Sequence, residues 1–213
     1  MAAPDGGYRA IFSTPYFWRL AVLGFVNHGM FAALQTLWAS SPWLMTVLGA
    51  TQAQASRMLF AMNLVLMLGY LALGWAAPRL VHAGWSTHRM VGTGIISMAL
   101  VQGLMLAADG PSAWLLFLPL ALCVPVTSLV QSGAGLAFPA ALAGRANSAY
   151  NLALFLGAFT WQWGFGVLVD AQGSRGPPRR TPSAWRWRSP LRFQLAALAY
   201  FIFSRAQPTK YAR

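Results

Sequence analysis

The chain has 213 residues, 57% of them hydrophobic, with fifteen Lys and Arg against three acidic residues and a formal net charge of +12. A soluble domain of this length cannot hide so much apolar surface in one core. The basic residues are not gathered on one amphipathic stripe, which argues against a nucleic-acid partner. The single Cys123 excludes an internal disulfide framework.

Residues 1–16 read as a cytoplasmic tail or linker. Apolar stretches follow at 18–38, 58–77, 91–107, 114–134 and 149–169, each near the roughly 20 residues that a helix needs to cross about 30 Å of hydrocarbon. A sixth, at 193–203, is short. These stretches predict an all-α membrane protein, a bundle of six transmembrane helices: five in 17–170, a loop at 171–192, a short sixth helix at 193–204 and a cytoplasmic tail at 205–213. The first stretch is too long for a signal-peptide core and reads as a retained anchor.

Polar groups within hydrocarbon are costly and usually face a cavity or another helix. In the first stretch His28, Phe31, Gln35 and Trp38 recur at three and four, which places them on one helical face able to line a pathway or to bond a neighbouring helix. Asn27 points about 100° away from His28 and reads as a packing residue. Asn63, alone in the second stretch, reads as helix glue. In the fourth, Thr127, Ser128, Gln131 and Ser132 form a polar patch beyond Pro119 and Pro125, which predict a kink. Thr127 and Ser128 can bond back to their own helix, whereas Gln131 is harder to satisfy locally.

The fifth stretch has two faces. Asn147, Asn151 and Gln162 share one, with Asn151 and Gln162 the pathway candidates and Asn147 read as a helix cap at the membrane surface. Ala149, Ala153 and Gly157 share the other, where small side chains let helix backbones approach. No Asp or Glu lies in the middle of any stretch, so His28 is the only titratable midspan candidate, and an amide-rich lining suits a neutral or anionic solute.

With the N-terminus in the cytoplasm, the inner side carries Arg9, Arg19, Arg79, Arg89, Arg145, Arg205, Lys210 and Arg213, and the outer side, residues 173–192 apart, only Arg57. This positive-inside bias predicts a multi-pass integral membrane protein, N-in and C-in, in a bacterial inner (cytoplasmic) membrane. Residues 173–192, with six Arg and four Pro, oppose the rule from the outside, and their proline density argues against a helix. Two readings stand: a solvated extracytoplasmic loop, or a local reading-frame change that replaces the start of the sixth helix.

Residues 74–84 read Gly-Trp-Ala-Ala-Pro-Arg-Leu-Val-His-Ala-Gly, residues 138–151 read Phe-Pro-Ala-Ala-Leu-Ala-Gly-Arg-Ala-Asn-Ser-Ala-Tyr-Asn, and residues 162–170 read Gln-Trp-Gly-Phe-Gly-Val-Leu-Val-Asp. Together with 8–19, these segments make the stretch from Tyr8 to Asp170 resemble the C-terminal six-helix half of a major facilitator superfamily transporter. The first is similar to the family's Gly-x-x-x-Asp-Arg loop, with Gly74 and Arg79 in place and Pro78 in the acidic slot. The resemblance implies twelve helices in a complete member and a substrate site between two halves. It therefore implies a missing N-terminal six-helix half as partner, alongside the lipid bilayer and an unidentified small solute, and a gating role for the loop of Gly74 and Arg79.

The expected function is transmembrane transport of a small solute by alternating access, as a fragment or half of such a transporter, with no cofactor and no enzymatic reaction. An inactive remnant or non-catalytic membrane partner is the alternative. An intramembrane serine protease built on Ser132 is a remote one, because its signature is incomplete and only His28 offers a base.

Overall fold

The computed structural model describes residues 7–35, 44–45, 49–108, 112–173 and 184–204, and these residues are helical with no strand among them. In chain order the helices are α1 (Gly7–Phe12), α2 (Pro15–Ala33), α3 (Gln52–His82), α4 (Thr87–Ala107), α5 (Phe117–Cys123), α6 (Thr127–Leu136), α7 (Ala140–Gly173) and α8 (Ala184–Phe203). Short 3-10 turns at Ala113–Leu116 and Val124–Val126 join with α5 and α6 into one rod, Ala113–Leu136. Among the described residues two helices are long and apolar enough to cross a membrane: α3 and that rod.

Local chemistry accounts for the ends. Thr14 is extended and Pro15 opens α2, where its missing N–H costs nothing. A reciprocal capping box starts α3: the Gln54 N–H donates to Thr51 Oγ1 at 3.3 Å, and the Thr51 N–H to Gln54 Oε1 at 2.8 Å. The segment read as a loop after the second stretch is instead the last part of α3, which runs through Gly74, Pro78 and Arg79 to His82. Proline removes one ladder bond, but the Ala-rich surroundings hold the helix across it. The turn itself is confined to residues 83–86. There the Trp85 N–H reaches the Leu80 carbonyl at 2.9 Å and the Gly84 N–H the Val81 carbonyl at 3.0 Å, with Gly84 at φ +84°. These are the paired bonds of a Schellman stop, which needs a left-handed residue.

A Cβ added at Gly84 meets nothing within 4 Å. Gly84→Ala should therefore cost only the left-handed backbone penalty, about 1–2 kcal/mol. Thermal unfolding should show it, with Gly84→Asn recovering part of the loss.

The rod tightens to 3-10 geometry at Val124–Val126, around Pro125. Thr127 Oγ1 donates to the Val124 carbonyl at 2.8 Å and Ser128 Oγ to the Pro125 carbonyl at 2.7 Å, so both hydroxyls are used within their own rod.

Three sequence boundaries need correction. Residues 7–12 of the supposed tail form α1, whose Ile11 is fully buried in the core. Helix α7 begins at Ala140, so Asn147 lies two turns inside it and is not a cap; its amide packs against Gly135 of α6 instead. Helix α8 begins at Ala184 and takes in half of the Arg/Pro-rich segment, because Ala184 to Ser189 contain neither Pro nor Gly and Pro190 deletes only one ladder bond. The rest of that segment, 174–183, lies outside the described residues.

Helix α2 is the centre of the bundle. Its longest interface is with α7, and it also touches α6 and α8. The α2–α7 crossing is close because glycines meet: a Cβ at Gly29 would lie 2.7 Å from the Gly157 carbonyl oxygen, and one at Gly157 would be 2.9 Å from Phe25 Cα. Elsewhere α3 packs on α5, and α4 on α8 and α5. One core cluster gathers Phe17, Leu20, Ile95, Ala146 and Tyr150 around the first half of α2; a second gathers Met30, Leu34, Met62, Met98 and Leu120 around its end.

Candidate functional site

The sequence candidates fall into separate places. Beyond the exposed Trp18, the partly buried residues of α2 and of the turn that follows it are Val22, Phe25, His28, Ala32 and Gln35, one stripe at helical spacing. His28 and Gln35 lie on it, but Phe31 does not: it is 6% exposed and packs in the second core cluster. Trp38 lies outside the described residues. Gln35 Nε2 donates to Asn63 Oδ1 at 2.8 Å, and Asn63 Nδ2 donates to the Leu59 carbonyl at 2.9 Å, so this amide pair ties the end of α2 to α3.

Gln131 and Asn151 also meet. Gln131 Nε2 donates to Asn151 Oδ1 at 3.1 Å, joining α6 to α7. With Asn147 against Gly135, the amide side of α7 lies along a helix seam, where the sequence suggested an open cavity. Gln162 stands half-buried farther along α7. Ala149 is buried, Ala153 packs on the first core cluster, and Gly157 faces α2. Ser132 Oγ donates to the Ser128 carbonyl one turn back at 3.2 Å.

A part-buried amide pair between helices is worth about 0.6 kcal/mol on average. A double-mutant cycle with Gln131→Ala and Asn151→Ala should return a coupling of that size in unfolding experiments. A coupling near zero would mean that the bond does not persist in the folded protein.

Gly74 is exposed within α3, and no atom lies within 4 Å of a Cβ placed there. Arg79 folds back on its own helix: its guanidinium lies 3.9 Å over the Trp75 ring, and Nη1 donates to the Trp75 carbonyl.

None of the pathway candidates lines the open hollow between α3, α4 and the rod. This groove holds about 380 Å³, and its walls include Ala72, Ala76, Thr93, Ser97, Leu122 and Pro125.

Among the buried polar groups, sequence reasoning singles out neither Gln102 nor Gln194 and gives Arg19 no partner. Arg19, counted there as a topology charge, is 9% exposed, and its Nε donates to the Phe201 carbonyl of α8 at 2.6 Å. Its guanidinium sits 4.8 Å over the Phe201 ring, and the His88 ring stacks on the same phenyl at 5.2 Å with Nε2 buried and unbonded. Farther along, Gln194 Nε2 donates to Asn27 Oδ1 at 2.8 Å, and Asn27 Nδ2 donates to the Leu23 carbonyl at 2.9 Å. Asn27 is thus a bridge between α2 and α8. Gln194 Oε1 and Gln102 Nε2 are buried without partners. The only signal available for Gln194 was that it is a lone amide in an apolar stretch.

Comparison of the chain with protein-family models, with curated proteins and with solved structures gives no match.

Proposed function

We propose that the chain is a six-helix membrane bundle of the kind that forms one half of a major facilitator superfamily transporter, and that it moves a small solute by alternating access when joined to an N-terminal six-helix half. The observation that carries the reading is the packing pattern. Exchange the first three long helices, α2, α3 and α4, for the rod, α7 and α8 in the same order, and four interfaces map onto one another, while α6–α7 has no counterpart of its size between α2 and α3. The α2–α7 interface maps onto rod–α3, α2–α8 onto rod–α4, while α4–α8 and α2–α6 map onto themselves. An internal repeat of three helices is a common building plan of secondary transporters.

Membrane residence has its own support. The most apolar window of α3 is only 11% buried, and that of the rod 39%; a core helix of a soluble protein would be mostly buried. The outer face of α7 presents Leu152, Phe155, Leu156, Phe159, Trp163 and Val167 in one continuous apolar ridge. Contiguous apolar surface on this scale needs a nonaqueous neighbour. Part of the half-buried stripe of α2, with His28 and Gln35, is the surface that would face the second half.

Reporter fusions test the topology. Fusions after Arg89 and Arg145 should register in the cytoplasm and fusions after Asp109 outside. A reversed pattern would overturn the placement. Transport is tested by expressing the chain with a six-helix partner encoded beside it and measuring uptake. Rapid degradation of the chain with and without that partner would instead favour an inactive remnant.

A further inference from the structure

The groove between α3, α4 and the rod is unlike a solute site. Its only wall hydroxyls are committed to their own helix: Thr93 Oγ1 donates to the Arg89 carbonyl at 2.9 Å, and Ser97 Oγ to the Thr93 carbonyl at 3.0 Å. Ala72 and Ala76 on the facing helix add no polar atom. With the hydroxyls so committed, the Trp85 indole N–H and the Cys123 thiol are the donors left in a wall that offers mainly van der Waals contact, which suits a hydrocarbon chain. Its volume of about 380 Å³ lies within the range of small-ligand sites.

One end of the groove is different. The Schellman stop of α3 carries Leu80 and Trp85 into its wall. Just past that end stand two exposed arginines in register with the walls: Arg79 is three residues beyond Ala76 on α3, and Arg89 is four before Thr93 on α4. Each therefore lies about one helical turn from a wall residue, on the same side of its helix. Arg79 spends one N–H on the Trp75 carbonyl, and a guanidinium has five. Among the described residues no carboxylate pairs with either charge, and no acidic residue occurs between residues 6 and 108.

From this juxtaposition of an apolar groove, an interfacial Trp and two uncompensated arginines, we infer that the groove binds one anionic phospholipid, its acyl chain between α3 and α4 and its phosphate between Arg79 and Arg89. The inference rests on the membrane reading above. It assigns the groove to the lipid side of the bundle and gives Arg79 a headgroup role distinct from gating. Trp at the headgroup level and a basic cluster at the cytoplasmic ends of helices are the usual components of such recognition.

The test uses the full chain reconstituted in nanodiscs of equal phosphatidylglycerol and phosphatidylcholine, then extracted into mild detergent, with retained lipid measured by mass spectrometry. Phosphatidylglycerol should be retained preferentially, and each arginine should contribute about a fivefold preference. Arg79→Gln with Arg89→Gln should erase that preference while some lipid of either kind is still retained. Ser97→Phe, which fills the groove without removing a charge, should lower retention of both lipids. Both arginines are exposed and Ser97 spends its hydroxyl on its own helix, so the variants should match the parent in helical content and elution volume. Inorganic phosphate added in excess should not displace the lipid.

Equal retention of the two lipids by the parent chain overturns the inference, as does a preference that survives loss of both arginines. Displacement by phosphate reassigns the arginines to a free anion and also overturns it. Alkaline carbonate extraction of cell membranes separates the two levels: a chain that is washed off sinks the membrane reading and this inference together. A chain that stays embedded yet shows no lipid preference sinks this inference alone.

Discussion

Gly157→Leu is expected to remove most folded protein. The glycine sits where α7 crosses α2, and even a Cβ there would be 2.9 Å from Phe25 Cα and closer still to the Phe25 carbonyl oxygen. Overpacking of a well-filled core typically costs about 1–3 kcal/mol. The cost here belongs at the upper end, because the obstructing atoms are backbone and cannot rotate away. Gly157→Ala should already lower the thermal midpoint and the detergent-solubilised yield. Gly164→Ala is the control: it lies on the same helix, has nothing within 4 Å of a Cβ, and should be neutral or slightly stabilising. Equal yields from Gly157→Leu and the control would mean that α2 and α7 do not cross at these glycines.

Arg19→Gln should loosen α8. The last four carbonyls of a helix lack intrahelical donors, and they carry the negative end of its dipole. Phe201 is in the last turn of α8, and its carbonyl receives the Arg19 Nε hydrogen at 2.6 Å. A hydrogen bond from a charged group contributes about 1.5–3 kcal/mol, and Gln is too short to reproduce it. Faster hydrogen exchange across residues 197–203 is the expected readout. Arg19→Lys should recover only part, since an ammonium cannot both stack on the Phe201 ring and present a planar fork. Unchanged exchange in Arg19→Gln would reduce the residue to a surface charge.

The sequence speaks clearly where one helix suffices. The break at Pro125 and the shared side of Ala149, Ala153 and Gly157 follow from backbone rules within a single element. It is silent on which helices meet. Nothing in the spacing of Asn27 says that it finds Gln194, or that Arg19 finds Phe201, because each partner lies more than 160 positions away. A charge near the end of an apolar run reads the same whether it touches water or a neighbouring helix terminus, so Arg19 was scored as a topology signal. The Asn151–Gln131 bond shows the same limit: periodicity places Asn151 on a face, and packing decides that the face is a seam. Proline density in 173–192 argues against a helix, yet two prolines of the chain lie inside helices. Pro78 and Pro190 each delete one bond from a ladder that otherwise continues.

The central position of α2 has a consequence for how the protein is made. It leaves the ribosome before the long helices it packs against, and its most demanding groups wait for α8: Arg19 for a carbonyl 182 residues later, Asn27 for an amide 167 residues later. At about 5–20 residues per second, synthesis of that interval takes roughly 10–40 seconds. Throughout that time a guanidinium and an amide lack the partners that they have in the finished bundle. A nascent chain that stops before α8 is therefore recognisable as unfinished by the polar surface of its own first helix, and the residues that seal the completed bundle are the same ones that would mark an incomplete copy for degradation.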